Sequence, residues 1–233
     1  VAGTPVNPSP DPARVLPTAS GDGCAEFPLF PLGTVLFPDG VLPLRIFETR
    51  YLDMVRRCMA QDSPFGVCLI TRGGEVGTPA EHHSIGCSAR IVDFDMDAGG
   101  VLQLRTVGHE RFEVLHRTLR KDGLLVGTIR TLAPDPIMAI PPALSVCVEL
   151  MEAIVQDLRK KLGDAFVNVL AEPLRMQDCG WVANRLSELL PLSAAVRQEL
   201  MSLTDPIDRL SQIAAMLSPE GSDPPGAGDP LND

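Results

Sequence analysis

The chain has 233 residues, with 30 acidic against 20 basic side chains and a formal charge of −10. Lysine occurs only as Lys121, Lys160 and Lys161 and arginine is scattered, so the cationic stripe on which phosphate binding depends is missing, as is any run of about 20 apolar residues able to cross a bilayer. These features disfavour nucleic acid and membrane as partners, while a hydrophobic content of 45% supports one large or two modest folded units.

Residues 1–23 are rich in Pro, Gly, Ser and Asp without any period, a composition that predicts a flexible arm. The next stretch, Phe27 to Tyr51 (FPLFPLGTVLFPDGVLPLRIFETRY), interleaves Pro28, Pro31, Pro38 and Pro43 with large apolar residues. Proline lacks the N–H of a central ladder, so this predicts short edge or bulged strands joined by fixed turns, with Phe27, Leu29, Leu36, Leu44 and Phe47 in the core. A helix follows over Glu48–Gln61, with Tyr51, Leu52, Val55, Cys58 and Met59 on its apolar face and Arg50, Asp53, Arg56 and Arg57 facing outward. Glu48 suits the positive end of that helix, and Arg50 is placed to tie it to the sheet.

From there to about Leu132 the pattern is strand-like: Phe65–Thr71, Ile85–Asp97, Val101–Val107 after a Gly99-Gly100 turn, then Arg111–Leu115 and Leu124–Leu132 around a Lys121-Asp122-Gly123 turn. Half-buried antiparallel strands are expected. Asp93, Asp95 and Asp97 alternate along one face, which fits an edge strand protected by charge at least as well as a cation site. Beyond Pro134, Pro136 and Pro141-Pro142 the period becomes helical. Leu144, Val148, Met151, Val155, Leu158 and Leu162 recur at three and four, followed by amphipathic segments over Trp181–Leu190, Ser193–Leu203 and Pro206–Leu217. The last residues, 218–233, predict an acidic flexible tail. The expected organisation is thus a β-rich unit over 24–133 and a helical unit over 134–217.

The order Phe27-Pro28-Leu29, Leu36-Phe37-Pro38, Leu42-Pro43-Leu44 and Ile46-Phe47-Glu48-Thr49-Arg50-Tyr51 resembles the opening of the LON domain, the N-terminal substrate-recognition region of ATP-dependent Lon proteases. Gly108-His109-Glu110-Arg111-Phe112 matches that family's G-x-x-RF, and Gln198-Glu199-Leu200-Met201 with Arg209-Leu210 matches its Q-x-L-L and R-L loosely. Arg45 and Thr49 stand where the family often has His and Pro. The resemblance implies an α+β fold, a PUA-like antiparallel pseudo-barrel with one inserted helix followed by a helical bundle. It also implies recognition of polypeptide in a cleft between the two parts, with Arg45, Phe47, Arg90 and Met96 as candidate cleft residues. Most motif residues, Phe27, Pro28, Leu29, Phe37, Pro38, Pro43, Leu44, Glu48, Arg50, Tyr51, Gly108, Arg111 and Phe112 among them, read as structural.

Catalytic patterns are weak. No lysine follows a glycine, so there is no Walker A phosphate cradle, and nothing resembles a Ser–Lys peptidase. The expectation is a stand-alone, non-catalytic LON-domain protein that needs neither ATP nor any other cofactor or metal. His82 and His83 fall in a polar stretch, GTPAEHHS, read as a solvated loop and not a metal site; His109 and His116 read as strand-surface residues. The six cysteines are widely spaced without C-x-x-C, and no basic-then-apolar leader opens the sequence, which predicts reduced, buried, unreactive thiols in a cytoplasmic protein. Two other readings stay open: a PUA-like small-molecule or RNA-binding module, signalled by a compact basic patch, and an enzyme joining His82 or His109 to a carboxylate and a serine or cysteine in a deep pocket.

Overall fold

The computed structural model describes residues 26–77, 80–97 and 99–217; the arm and tail expected at the two ends, and Cys24, lie outside the described residues. Six strands, β1 (Phe27–Leu32), β2 (Val41–Ile46), β3 (Phe65–Arg72), β4 (Glu81–Met96), β5 (Leu102–Leu119) and β6 (Leu125–Thr131), form one sheet in the order β2-β5-β4-β3-β1-β6. Since β6 also pairs with β5, five strands close into a ring and β2 hangs outside it on β5. Among the described residues five α-helices accompany the sheet: α1 (Thr49–Gln61), α2 (Ser145–Leu162), α3 (Cys179–Leu189), α4 (Ala194–Ser202) and α5 (Pro206–Leu217). Among the described residues no helix is long and apolar enough to cross a membrane.

Several local expectations are corrected. The pairing is antiparallel except at β1, which runs parallel to β3, the chain returning through β2 and α1 as a parallel neighbour requires. β1 is an interior strand despite two prolines. Pro28 lies opposite β6 only and Pro31 opposite β3 only, so neither has a ladder partner on both sides. The two strands expected over 101–107 and 111–115 are one, β5, which pairs with β2 before Gly108 and with β6 from Phe112 onward. Gly108 makes the passage possible, because a Cβ there would lie 2.0 Å from the Phe37 carbonyl oxygen. His82 and His83 lie in β4, not in a loop.

Helix α1 buries Met54 and Val55 in the core but also Arg50, which was expected outside; its guanidinium donates to the Gly123 carbonyl at 3.1 Å, pairs with Glu48 at 2.8 Å and stacks on Tyr51. Met59 and Phe47, expected inside, are exposed. Helix α3 is not amphipathic, since every residue from Cys179 to Ser187 is buried. One apolar cluster runs from Phe37, Ile46 and Leu104 of the β part to Met151, Trp181 and Leu186 of the helices. A smaller cluster holds Leu29, Cys68, Phe112 and Leu125, with Phe27 edge-on to Phe112 at 5.4 Å.

Two polar contacts bind the helices to the sheet. In the first, Asp135 accepts from Arg111 of β5 at 2.6 Å and from Arg209 of α5, both guanidiniums being almost wholly buried. Arg111 also donates to the carbonyls of Met201 and Leu203, and Arg209 to those of Leu200 and Leu203 and to Asn184 Oδ1. In the second, α3 clamps the Leu36-Phe37-Pro38 turn. Arg185 donates to the Pro38 carbonyl at 2.6 Å, and Glu188 accepts the Phe37 N–H at 3.2 Å while pairing with Arg185 at 3.0 Å. Burial pushes the Glu188 carboxyl up to about 7, against the pull of Arg185 and the Phe37 N–H.

Replacing Asp135 by Ala leaves two buried cations without their carboxylate, and we expect a loss of about 3–5 kcal/mol in urea unfolding followed by Trp181 fluorescence. Glu188 titrates at about 4.3 when unfolded and higher when folded, so its contribution is complete below pH ~4.3 and is lost as pH rises through about 7. Wild-type stability should therefore fall across that window. Glu188→Gln should flatten this part of the profile in pH-dependent denaturation.

Candidate functional site

β2 leaves the ring, so among the described residues its outer side faces no strand, and a groove of about 340 Å³ opens along it. One wall is β2 itself from Leu42 to Ile46, continued by Phe47; the other is the end of β1 with Phe30, Leu32 and Thr34, and the Glu75–Val76 segment after β3. Glu48 and Tyr51, at the start of α1, close one end. The rings of Phe30 and Tyr51 pack at 4.1 Å, and burial raises the Tyr51 pKa. Glu75 accepts the Gly33 N–H at 2.6 Å, which draws the Glu75–Val76 segment toward the β1 end.

An exposed apolar surface adjoins the groove. The cross-strand rows Leu44–Leu104–Phe94 and Ile46–Leu102–Met96 pass from buried side chains on β2 and β5 to exposed ones on β4. Cross-strand partners share a face of the sheet, so each row carries the core outward into solvent. Phe47 (57% exposed), Val76 (61%), Phe94 (57%) and Met96 (61%) make this the main concentration of large exposed apolar side chains on the β part. Asp93 and Asp95 alternate with them on the half of β4 that extends beyond β3, and Asp97 follows just past the strand end, the edge position that their spacing suggested. Asp97 accepts the Gly99 and Val101 N–H groups, which lower its pKa, and pairs with Arg45 at 3.7 Å.

Of the four candidate cleft residues, Arg45 and Phe47 line the groove and Met96 ends the row that starts at Ile46. Arg90 lies apart, opposite Val107 in the row of Val41. Sequence reasoning missed Phe30, Leu32, Tyr51 and Val76 as groove residues. For Val76 the available signal was an apolar side chain inside the Gly-rich RGGEVG segment. Two further recesses meet the helices. A more open one of about 460 Å³ lies between β3, His83 and Ala194–Ala195, and a polar one of about 100 Å³ lies around His109, Asp135, Arg175 and Trp181.

The chemistry available in the groove is that of binding. Its lining offers apolar side chains, two hydroxyls, two carboxylates and one guanidinium, with no histidine, cysteine or lysine. The recess at His109 has carboxylates but no serine or cysteine in its lining. Among the described residues no three His, Cys, Asp or Glu side chains gather in the manner of a metal site. Arg50, Arg72, Arg111, Arg120, Arg130, Arg159, Arg175, Arg185 and Arg209 each pair with a carboxylate, which removes them from any basic patch. The five described cysteines are free and buried; desolvation pushes Cys68 up to about 12 and Cys179 to about 11.

Residues 26–218 match the model of the ATP-dependent protease La (LON) substrate-binding domain, and the chain belongs to that family. A Lon N-terminal domain protein from Xanthomonas campestris has a similar structure: TM-score 0.66, 37% identity, 82% of this chain and 98% of the other covered. The N-terminal domain of the Mycobacterium avium complex Lon protease shares the fold at TM-score 0.60 and 16% identity, over 84% of this chain and all of the other. Lon protease 2 of Herpetosiphon aurantiacus is 24% identical over 90% of this chain, which spans only 26% of that protein's length. Protein cereblon of Xenopus tropicalis is 26% identical over 52% of the chain and 26% of its own length.

The raised thiol pKa values carry an expectation of their own. In a Cys24→Ser variant, the remaining thiols should react with a disulfide reagent at pH 8 only as fast as the protein unfolds. Stopped-flow absorbance against the unfolding rate checks this.

Proposed function

We propose that this chain is a non-catalytic polypeptide-binding module, which holds unfolded or exposed apolar segments as a recognition or adaptor element of protein quality control. The observation that carries the reading is the groove along β2, where an apolar floor adjoins a strand that, among the described residues, has no strand neighbour on its outer side. Surfaces of this kind accept many sequences with modest affinity, because apolar contact is non-directional and main-chain hydrogen bonding is independent of sequence. Membership of a family described as substrate-binding supports the same reading. Phe47 is the exposed aromatic anchor of the groove, and its side chain does not fill the core.

Titration of a fluorescein-labelled, permanently unfolded model protein with the full chain, followed by anisotropy, tests the proposal. Saturable binding in the micromolar range is expected. Covering one Phe side chain is worth about 1.5–3 kcal/mol, so Phe47→Ser should weaken binding about tenfold or more with little change in Tm. No binding at high micromolar concentration by protein of verified fold overturns the proposal.

A further inference from the structure

We infer that the segment held in the groove adds to the sheet as a strand on the outer edge of β2, and that it is an alternating apolar stretch with basic flanks. The inference rests on the polypeptide-binding reading and gives it a geometry. The ladder between β2 and β5 determines which main-chain groups of β2 face outward. The Gly108 N–H donates to the Gly40 carbonyl at 2.8 Å and the Gly108 carbonyl accepts from Asp39 N–H at 2.8 Å, so Gly108 turns both of its groups toward the β2 side. In an antiparallel pair this orientation alternates along the strand. Leu42, Leu44 and Ile46, opposite Thr106, Leu104 and Leu102, therefore aim their N–H and C=O at β5, and Val41, Pro43 and Arg45 aim theirs into the groove.

Pro43 falls in the outward set. Its missing N–H costs the β5 ladder nothing, which is where an edge strand tolerates proline. The outward groups left beyond the Gly40–Leu170 bridge are the N–H of Arg45 and the carbonyls of Val41, Pro43 and Arg45, and among the described residues none has a hydrogen-bond partner. The edge is closed at its upstream end, where Gly40 bridges to Leu170, and it is open beyond that bridge. Six residues of strand span roughly 20 Å, room for a segment of about that length. A second copy of this chain is a poor occupant, since pairing two β2 edges about Pro43 sets proline against proline and leaves the central pair without hydrogen bonds.

Charge sets the flanks. Glu75 lines the groove, and among the described residues no cation pairs with it. The nearby Arg45 and Glu48 are already paired, with Asp97 and Arg50. Side chains on one face of an added strand would lie beside the row Leu42, Leu44, Ile46, which selects apolar residues at alternate positions. Lysine or arginine at an end then meets Glu75, on a chain whose formal charge is −10.

The test uses the full chain and a labelled peptide, Lys-Lys-Thr-Val-Thr-Ile-Thr-Val-Thr-Lys-Lys, read by anisotropy. Two further versions carry backbone N-methyl groups, one on the Val and Ile residues, the other on the Thr residues between and beside them. A strand on one edge presents every second N–H to β2, and the apolar alternation fixes which, so one version should lose about tenfold or more and the other less than about threefold. Equal loss in both, or loss in neither, overturns strand addition. A Glu-flanked version should bind about tenfold more weakly than the parent in low salt, with the gap closing at high salt; equal binding overturns the basic-flank requirement. Binding of an unfolded protein without binding of the parent peptide overturns this inference and leaves the polypeptide-binding reading standing, whereas failure of both overturns the two together.

Discussion

Asp135 stands between two guanidinium groups that the fold withdraws from water, Arg111 from the middle of β5 and Arg209 from α5. One carboxylate does not balance two cations in a low-dielectric interior, and the remainder comes from the end of α4. Leu200 and Met201 lie in its last turn and Leu203 caps it, so Arg111 and Arg209 occupy carbonyls at the negative end of that helix, the Leu200 carbonyl being shared with the Leu203 N–H. Sheet, α3, α4 and α5 meet at this junction through Asp135 and Asn184. Both arginines belong to sequence motifs, G-x-x-RF and R-L, that lie 98 positions apart and acquire a physical reason only together.

The same frame leaves β2 outside the ring. At its upstream end the strand is held rigidly: Arg185 and Glu188 hold the Phe37–Pro38 turn, a Cβ at Gly40 would lie 2.0 Å from Glu188 Oε1, and Gly108 packs against the Phe37 carbonyl. At its downstream end it passes into Phe47 and α1, where Arg50 is tied to the β5–β6 turn. A strand fastened at both ends and bare along one side is preorganised for an extended partner, because it need not reorganise to accept one.

Much of this was legible in the residues. The prolines of 27–51 marked a packed, angular segment, the change of period after Pro142 marked the helices, and alternating Asp93 and Asp95 marked an exposed edge. Arg50 was misread because helical periodicity sorts side chains by polarity, whereas a long guanidinium can be buried once a carbonyl and a carboxylate meet it. The burial of α3 was illegible for the same reason: Asn184, Arg185 and Ser187 look like a solvent face until their partners are known. The parallel placement of β1 lies in no local pattern, since it depends on a partner beyond α1. Within the groove, Arg45 and Phe47 could be guessed from the motif, but Phe30, Tyr51 and Val76 reach it only through that same long-range pairing.

The insertion of β1 between β3 and β6 also bears on how the chain is made. Synthesis runs from the N-terminus, yet β1 has its neighbours only once β3 and then β6 have emerged, and Arg111 meets its carboxylate and helix-end carbonyls later still. The first strand therefore waits through most of translation as an unpaired apolar segment, FPLFPL. Its two prolines then act before any folding, by denying a regular run of N–H donors to the β-pairing through which nascent chains aggregate.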